Sequence, residues 1–289
     1  GHLMPQVIDR TVSPRDIVGL KIELPSVRDD KEAWNCEIQV NKALLELKRN
    51  GGGPVHINLA TGASCSFCVK NLPAVRTIER IGYEDVYPEM PAGRIAVFVG
   101  SHARWSPELT EAVDRFCASR DAVVFCDHTS GYHGKYKALY ALVAGQEQYD
   151  PGLGQVDLLI HIGEVSGDYF TAGRMKGRQV WRVSEDGEIR DTFRRLRYVF
   201  EMSERSFFEH YTVGEGTSDR FLRQCRAEYD NLYAAIPDLP FSNVWIASQM
   251  ASRIPERAVV HFGILNTLRS WNMFQMPESV VSNSNVGGF

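Results

Sequence analysis

The feature that most constrains the fold is the uninterrupted apolar run GRIAVFVGS at residues 93–101. A strand that is apolar at nearly every position is typical of a parallel sheet covered on both faces. A helix is predicted next, at 106–120, because Ser106 is a good N-cap residue and acidic side chains follow it. The same alternation continues along the chain, with predicted strands at 122–127 and 156–164 and a predicted helix at 135–145. It indicates parallel strands joined by right-handed crossovers, as in Rossmann-like domains.

Weaker α/β patterns flank this central segment on both sides. Before it, the sequence predicts a strand within 16–27, a helix at 31–50, a strand at 55–59 and a linker over 60–92. After it, the sequence predicts a helix at 241–254, a strand at 257–265, a loop at 266–274 and a strand near 279–283. The predicted fold class is therefore α/β: a Rossmann-like central domain with a parallel sheet, flanked by parts of two further α/β domains.

Charge and composition argue against several classes of function. The net charge is −4, and the dense basic run RRLR at 194–197 is too small to predict a nucleic-acid-binding face. No apolar run is long enough to span a bilayer, and no segment resembles a signal peptide. Six scattered cysteines indicate the reducing cytoplasm. Cys65 and Cys68 form a lone C-x-x-C without a second pair of ligands, so neither a metal site nor a redox site is predicted there.

Ligands of parallel sheets bind outside the carboxyl ends of the strands, which selects three loops of the central segment: 100–105, 126–136 and 163–170. The first, GSHARW, allows either close approach to a phosphate or a tight turn, and G-x-G-x-x-G is absent. In the second, Asp127, His128 and His133 allow either a metal site or a capped turn with locally bonded side chains. Their spacing favours the capped turn.

A fourth candidate site combines NTLRSW and SNVGGF, which each follow a strand of one predicted sheet. Because the carboxyl ends of parallel strands meet at one edge, five residues are predicted to converge there: Asn266, Arg269, Asn285, Gly287 and Gly288. Arg269 offers a planar fork that suits a carboxylate, and the amide groups suit carboxylate or phosphate oxygens. The spacing equally allows a structural salt bridge of Arg269 and ordinary turns.

These segments resemble the thiamine-diphosphate-dependent enzymes of the acetolactate synthase and pyruvate decarboxylase type. GGGPVHINL resembles the closing strand of the family's pyrimidine-binding domain, and the stretch from GRIAVFVGS to DHTSGY resembles its central domain. HFGILNTLRSW, followed by VSNSNVGGF, resembles the opening of the diphosphate-binding domain. Within the family, the motifs are most similar to those of the menaquinone-pathway synthases, which make succinyl-enolpyruvyl-hydroxycyclohexene carboxylate from 2-oxoglutarate and isochorismate.

The resemblance implies three domains: the C-terminal part of a pyrimidine-binding domain plus a linker at 1–75, a central Rossmann-like domain at 76–236, and the start of a diphosphate-binding domain at 237–289. It also implies roles for six residues. Gln6 would face the reactive carbon of the cofactor as a catalytic residue. The others would be substrate-binding residues, Asn266 and Arg269, and cofactor-binding residues, Asn285, Gly287 and Gly288.

The cofactors implied for the parent enzyme are thiamine diphosphate and Mg²⁺. The implied partners are a 2-oxo acid and an acceptor molecule, with a homodimer or homotetramer as the assembly and no nucleic-acid or membrane partner. The family's activating glutamate and its Gly-Asp-Gly…Asn metal motif have no match here, since EDGEI at 185–189 lacks the leading glycine and the downstream asparagine. We therefore expect a middle fragment of a cytoplasmic decarboxylase or carboligase that is inactive alone.

Two other functions stay open at this point. The central segment could be a non-catalytic module that binds a nucleotide or an effector through GSHARW or HTSGYHGKY. Alternatively, the chain could be a structural core that only mediates oligomerisation.

Overall fold

The computed structural model describes residues 17–60, 70–71 and 74–285. The chain divides into two compact units, Gly1–Arg80 and Ile81–Phe289. The predicted boundaries at 75/76 and 236/237 stay a prediction.

The first unit contains a strand–helix–strand motif. Strand β1 (Leu20–Leu24) pairs in parallel with β2 (Val55–Leu59), and helix α1 (Asp30–Glu46) lies between them in the chain. Asp29 begins α1 because its side chain accepts a hydrogen bond from the backbone N–H of Glu32 at 2.8 Å. A 3-10 turn at Arg49–Gly51 leads on to β2. The sequence prediction of strand, helix and strand is confirmed in this unit.

The remaining elements are, in chain order, β3 (Glu79–Ile81), β4 (Ile95–Val99), α2 (Pro107–Arg120), β5 (Val123–Cys126), a 3-10 turn (His128–Ser130), β6 (Lys137–Leu139), α3 (Ala141–Ala144), β7 (Gln155–Ile162), α4 (Tyr169–Arg174), β8 (Lys176–Val183), β9 (Leu196–Phe200), α5 (Glu204–Tyr211), α6 (Arg220–Ala234), α7 (Asn243–Met250), a 3-10 turn (Ala251–Arg253), β10 (Val259–Gly263), α8 (Asn266–Trp271) and β11 (Val281–Asn285). No helix in the described part of the chain has the length and apolar character needed to cross a lipid bilayer.

Seven strands form one sheet in the order β3-β9-β8-β7-β4-β5-β6. Every pair from β6 to β9 is parallel. When the strands from β4 to β9 are numbered from one, the order read from β6 is 3-2-1-4-5-6, which is that of a Rossmann-like sheet. The predicted α/β fold with a parallel central sheet is therefore confirmed.

The central strand and the helix after it form as the sequence predicts. All five residues of β4 are buried, because the sheet carries helices on both faces. Helix α2 begins at Ser106, whose hydroxyl accepts from the backbone N–H of Leu109 at 3.1 Å. It ends at Asp121, which adopts a left-handed backbone conformation with φ 51°.

Three predictions of local structure are wrong. The segment predicted as a helix at 135–145 contains strand β6 followed by the single turn α3, because the ladder with β5 overrides the helical periodicity. Tyr136 and Tyr140 flank β6 and are each 1% exposed, so burial of two aromatic side chains stabilises this arrangement. The predicted linker over 60–92 includes the edge strand β3. The loop predicted at 266–274 contains α8, described below.

The strand order reverses between β4 and β7, and there the two following loops pack directly on each other. The N–H of Gly100 donates to the carbonyl of Ile162 at 3.0 Å, and the N–H of Glu164 donates to the carbonyl of Ser101 at 2.8 Å. A Cβ atom at residue 100 would overlap the carbonyl oxygen of Glu164. His102 in the same loop bonds to Glu204 at 2.9 Å. Gly100 of GSHARW therefore allows two loops to pack closely. Of the two alternatives for this segment, phosphate binding and a tight turn, this packing supports the tight turn.

We expect Gly100→Ala to lower the free energy of unfolding by about 1–3 kcal/mol, because the added methyl group forces the two loops apart. Gly173→Ala is the matched control, since a Cβ atom there meets nothing within 4 Å. Thermal and urea unfolding of both variants measure the difference. Equal stability of the two variants would contradict the close packing described here.

Candidate functional site

The ends of β10 and β11 bring two of the predicted site segments to one edge. The two strands are parallel, in a register that runs from Val259 opposite Val281 to Gly263 opposite Asn285. Both strands therefore end at the same edge, where α8 begins three residues after Gly263. The structure brings the backbone of Asn285 and the start of α8 to one edge of this pair, while their roles stay a prediction.

The segment after β10 is helical where the sequence predicted a loop. Backbone N–H groups of Arg269 and Asn272 donate to the carbonyls of Leu265 and Leu268, each at 2.9 Å. The helix has only six residues, and Leu265 at its N-cap position provides no side-chain hydrogen bond. Such a helix lacks both the length and the capping signal on which a prediction from sequence depends. Tertiary contacts stabilise it instead.

The loop after β5 holds α8 through His128. Its Nε2–H donates to the carbonyls of Trp271 at 3.0 Å and Phe274 at 2.9 Å, and its backbone N–H donates to the Asn272 side chain at 3.1 Å. Burial, and secondarily the charge of Lys137, lowers the pKa of His128 to about 4, so the ring is neutral at pH 7. A neutral ring with Nε2–H as its donor fits this pair of carbonyl acceptors.

The loop after β7 provides a second contact surface for α8. Leu268 is fully buried, and a Cβ atom at Gly167 would overlap its Cδ2 atom. Residues 126–130 and 163–170 thus form a seat for α8, which we call the α8 seat. Two of the three loops predicted as ligand sites therefore hold this helix.

Two buried carboxylates fix the shape of the α8 seat. Asp127 accepts hydrogen bonds from the backbone N–H and the hydroxyl of Thr129, both at 2.6 Å, and from the hydroxyl of Ser166 at 2.7 Å. Ser166 in turn accepts from the backbone N–H of Asp168 at 3.0 Å. Burial, with a contribution from Asp127, raises the pKa of Asp168 to about 6. The predicted capped turn at Asp127 is confirmed, whereas the local bonding predicted for His128 is wrong, because its partners lie in residues 271–274.

Arg269 lies on α8 with donors that no group among the described residues uses. Its guanidinium carbon lies 4.6 Å from the centre of the Tyr169 ring, a cation–π geometry. Its Nε atom is buried without a hydrogen-bond partner in the described structure. The described residues also place no carboxylate in an ion pair with Arg269, so the structural salt bridge that the sequence allowed is absent from them. An oriented, unpaired guanidinium suits a carboxylate or phosphate group.

Asn266 is exposed at the first position of α8. Residues three apart on a helix lie on the same face, so its backbone position is one turn from that of Arg269. The structure therefore places these two predicted substrate-binding residues next to each other. Tyr169, the ring beneath Arg269, lies in the loop 163–170 that the sequence analysis selected, but it was not itself predicted as a site residue.

Several predicted residues lie outside what the structure describes. Gln6, Gly287 and Gly288 fall outside the described residues, as do Cys65 and Cys68. The backbone of Asn285 pairs with Gly263, but its side chain is not described. Within 17–60, 70–71 and 74–285, no group of three or more His, Cys, Asp or Glu side chains could hold a metal ion.

Comparison with known proteins gives consistent relatives at low identity. No protein-family profile matches the chain. Curated proteins named 2-succinyl-5-enolpyruvyl-6-hydroxy-3-cyclohexene-1-carboxylate synthase are similar over nearly its whole length. That of Bacteroides fragilis is 23% identical over 94% of this chain and 52% of its own length. The proteins of Phocaeicola vulgatus (25% identical, 94% and 51%) and Bacteroides thetaiotaomicron (23% identical, 99% and 54%) are similar in the same way.

The relatives carry the name of the synthase that the motifs indicated, so the predicted resemblance is confirmed. The chain spans about half the length of the curated relatives it matches.

We expect His128→Ala to cost about 1–3 kcal/mol of unfolding free energy at pH 7, because the buried carbonyls of Trp271 and Phe274 lose their donor. The folded-state pKa of about 4 is below the unfolded value near 6.5, so His128 contributes stability at neutral pH that is lost as pH falls toward 4. The gap between wild type and variant should therefore narrow between pH 6.5 and pH 4.5.

Urea unfolding at several pH values measures this gap. His133→Ala, which removes an exposed histidine of the same loop, is the control and should leave stability within about 0.5 kcal/mol of wild type. A gap that stays constant or widens on acidification would show that His128 is not held neutral by burial.

Proposed function

We propose that this chain forms part of a thiamine-diphosphate-dependent carboligase that acts on a 2-oxo acid, and that Arg269 binds a substrate carboxylate. The observation that carries the proposal is the unpaired guanidinium of Arg269 on α8, at the edge where β10 and β11 end. The similarity to the curated synthases over nearly the whole chain supports the reaction class. The substrate pair of the resembled synthases, 2-oxoglutarate and isochorismate, is the proposed one.

Thiamine diphosphate, when bound, would supply the electron sink that loss of CO₂ from a 2-oxo acid requires. The residues that would hold it are Asn285, Gly287 and Gly288, and Gln6 would face its reactive carbon, as the resemblance implies. One observation supports this assignment: β11 ends at Asn285, at the same edge as β10. The family's activating glutamate and Mg²⁺ ligands have no match in the sequence, so we propose that this stretch has little activity alone.

Arg269 contributes binding and orientation. Its planar fork can donate two parallel hydrogen bonds to one carboxylate, which fixes both the position and the plane of that group. The Tyr169 ring restricts the guanidinium from one side and leaves its edge for the ligand. Asn266, one turn earlier on α8, adds an amide that can donate to a substrate oxygen. Holding a carboxylate this way orients the attached keto group for attack.

The alternative of a nucleotide site at the carboxyl edge of the central sheet finds less support. The loop 100–105 packs against the backbone at Glu164, and its Trp105 donates to the carbonyl of Ser130 at 2.8 Å. The loops 126–136 and 163–170 hold α8. These loops are therefore committed to contacts within the protein.

In the intact parent enzyme, we expect Arg269→Lys to reduce kcat/KM for the 2-oxo acid by roughly 10- to 150-fold, because the charge is kept but the two-pronged geometry is lost. The melting temperature and the affinity for thiamine diphosphate should stay unchanged. Arg253→Lys, at an exposed arginine of the 3-10 turn after α7, is the control. Unaltered kcat/KM for every 2-oxo acid and acceptor tried would remove Arg269 from the site.

A second variant tests the role of the aromatic ring. Tyr169→Leu should raise KM for the 2-oxo acid by roughly 2- to 30-fold, the range of a cation–π contact of about 0.5–2 kcal/mol. In the Arg269→Lys background the same change should cost less, because the two residues act as a pair. Tyr149→Leu, at another exposed tyrosine, provides the control. Additive effects of Tyr169 and Arg269 would show that the ring does not orient the guanidinium.

A further inference from the structure

A cleft of about 610 Å³ lies beside the edge strand of the central sheet. Its walls come from the end of the 126–136 loop and β6, from α6, and from residues 275–278 after α8. Buried residues that include Leu139 and Tyr229 line its inner part, and Lys135, Lys137 and Arg226 bring three positive charges to it. We call it the basic cleft. Neither Asn266 nor Arg269 lines it, so it is separate from the candidate substrate site.

Arg226 is held in place at this cleft by the edge of the sheet. Its Nη2 donates to the carbonyl of Lys135, just before β6, at 2.9 Å and to the carbonyl of Lys137, in this edge strand, at 3.2 Å. One nitrogen of the guanidinium thus satisfies both carbonyls. Its other nitrogens have no hydrogen-bond partner among the described residues and stay available to a ligand.

Lys137 is the half-buried cation of the basic cleft. Its ammonium forms no ion pair with a carboxylate of the described residues. His128 and His133 both line the cleft, and burial is the main cause that lowers their pKa values. The charge of Lys137 is the second cause for each of them. A half-buried lysine without a counter-charge among the described residues attracts an anion to its position.

The carboxylates at the cleft do not supply that counter-charge. Asp230 and Glu278 line it and are exposed, and neither forms an ion pair with Lys135, Lys137 or Arg226 in the described structure. The three cations exceed these two carboxylates by one charge, in a chain whose net charge is −4. A local positive excess in an acidic protein concentrates anions at that position.

We propose that the basic cleft binds a small organic oxyanion, through a carboxylate or phosphate group that pairs with Lys137 and Arg226. The volume is within the range of small-molecule sites, and the inner apolar wall can accept the carbon part of the ligand. The bound group would lie beside His128, which also holds α8. This proposal does not depend on the reaction proposed above.

The test measures binding of two probes, inorganic phosphate and succinate, against sodium chloride at equal ionic strength. Either probe should raise the melting temperature by about 3 °C at a tenfold excess over its Kd, and the rise should continue with the logarithm of the probe concentration. Titration calorimetry then provides the Kd itself. Phosphate and succinate separate the two oxyanion classes, and a response to either supports the site.

Variants then locate the binding. Lys137→Met should raise the Kd for the probe by about 10-fold or more, because the positive charge is lost. Lys137→Arg keeps the charge and should therefore keep most of the wild-type affinity. Lys31→Met, at an exposed lysine of α1, is the control for the loss of one positive charge outside the cleft. If Lys137→Met unfolds the protein, Lys135→Met provides the same comparison. The proposal is overturned if neither probe stabilises the protein beyond chloride, or if the Lys31 variant loses as much affinity as the variants in the cleft.

Discussion

The arrangement of the second unit depends on the buried carboxylate of Asp127. A carboxylate that is 3% exposed is stable only when hydrogen bonds replace its water, and this one accepts from Thr129, Ser130 and Ser166. These donors come from the loops after β5 and β7, so a single charged group fixes both loops. His128 takes its position from the same turn. The contact that holds α8 thus depends on the hydrogen bonds that Asp127 accepts.

This arrangement changes what the carboxyl edge of the central sheet can do. In an open α/β sheet the crevice at the strand reversal is the usual place for a ligand. Here the loops after β4 and β7 pack on each other, and those after β5 and β7 hold α8. The two positions proposed here for ligands are instead Arg269, whose Nε atom has no hydrogen-bond partner in the described structure, and Lys137, which forms no ion pair among the described residues. Fold class alone would have placed the site at the reversal.

The sequence predicted an element correctly where several local features agreed on the same secondary structure. β4 is apolar throughout, and α2 carries an N-cap serine with proline next to it, so pattern and capping agree. The predictions for the segments that form β6 and α8 were wrong for opposite reasons. β6 has helical periodicity but is decided by its ladder with β5, whereas α8 is too short and uncapped to show any pattern. In the site, the residue types predicted Arg269, but Tyr169 and His128 act through tertiary contacts that no spacing reveals.

The two proposed binding positions share a structural element, and this has a thermodynamic consequence. His128 lines the basic cleft, and its ring holds the carbonyls at the end of the helix that carries Arg269. If both proposals hold, an anion that orders the cleft will also stabilise the α8 seat, and a substrate that orders α8 will also stabilise the cleft. Binding free energies are reciprocal, so each ligand must change the affinity of the other by the same factor. A coupling of zero would mean that α8 is already rigid without either ligand.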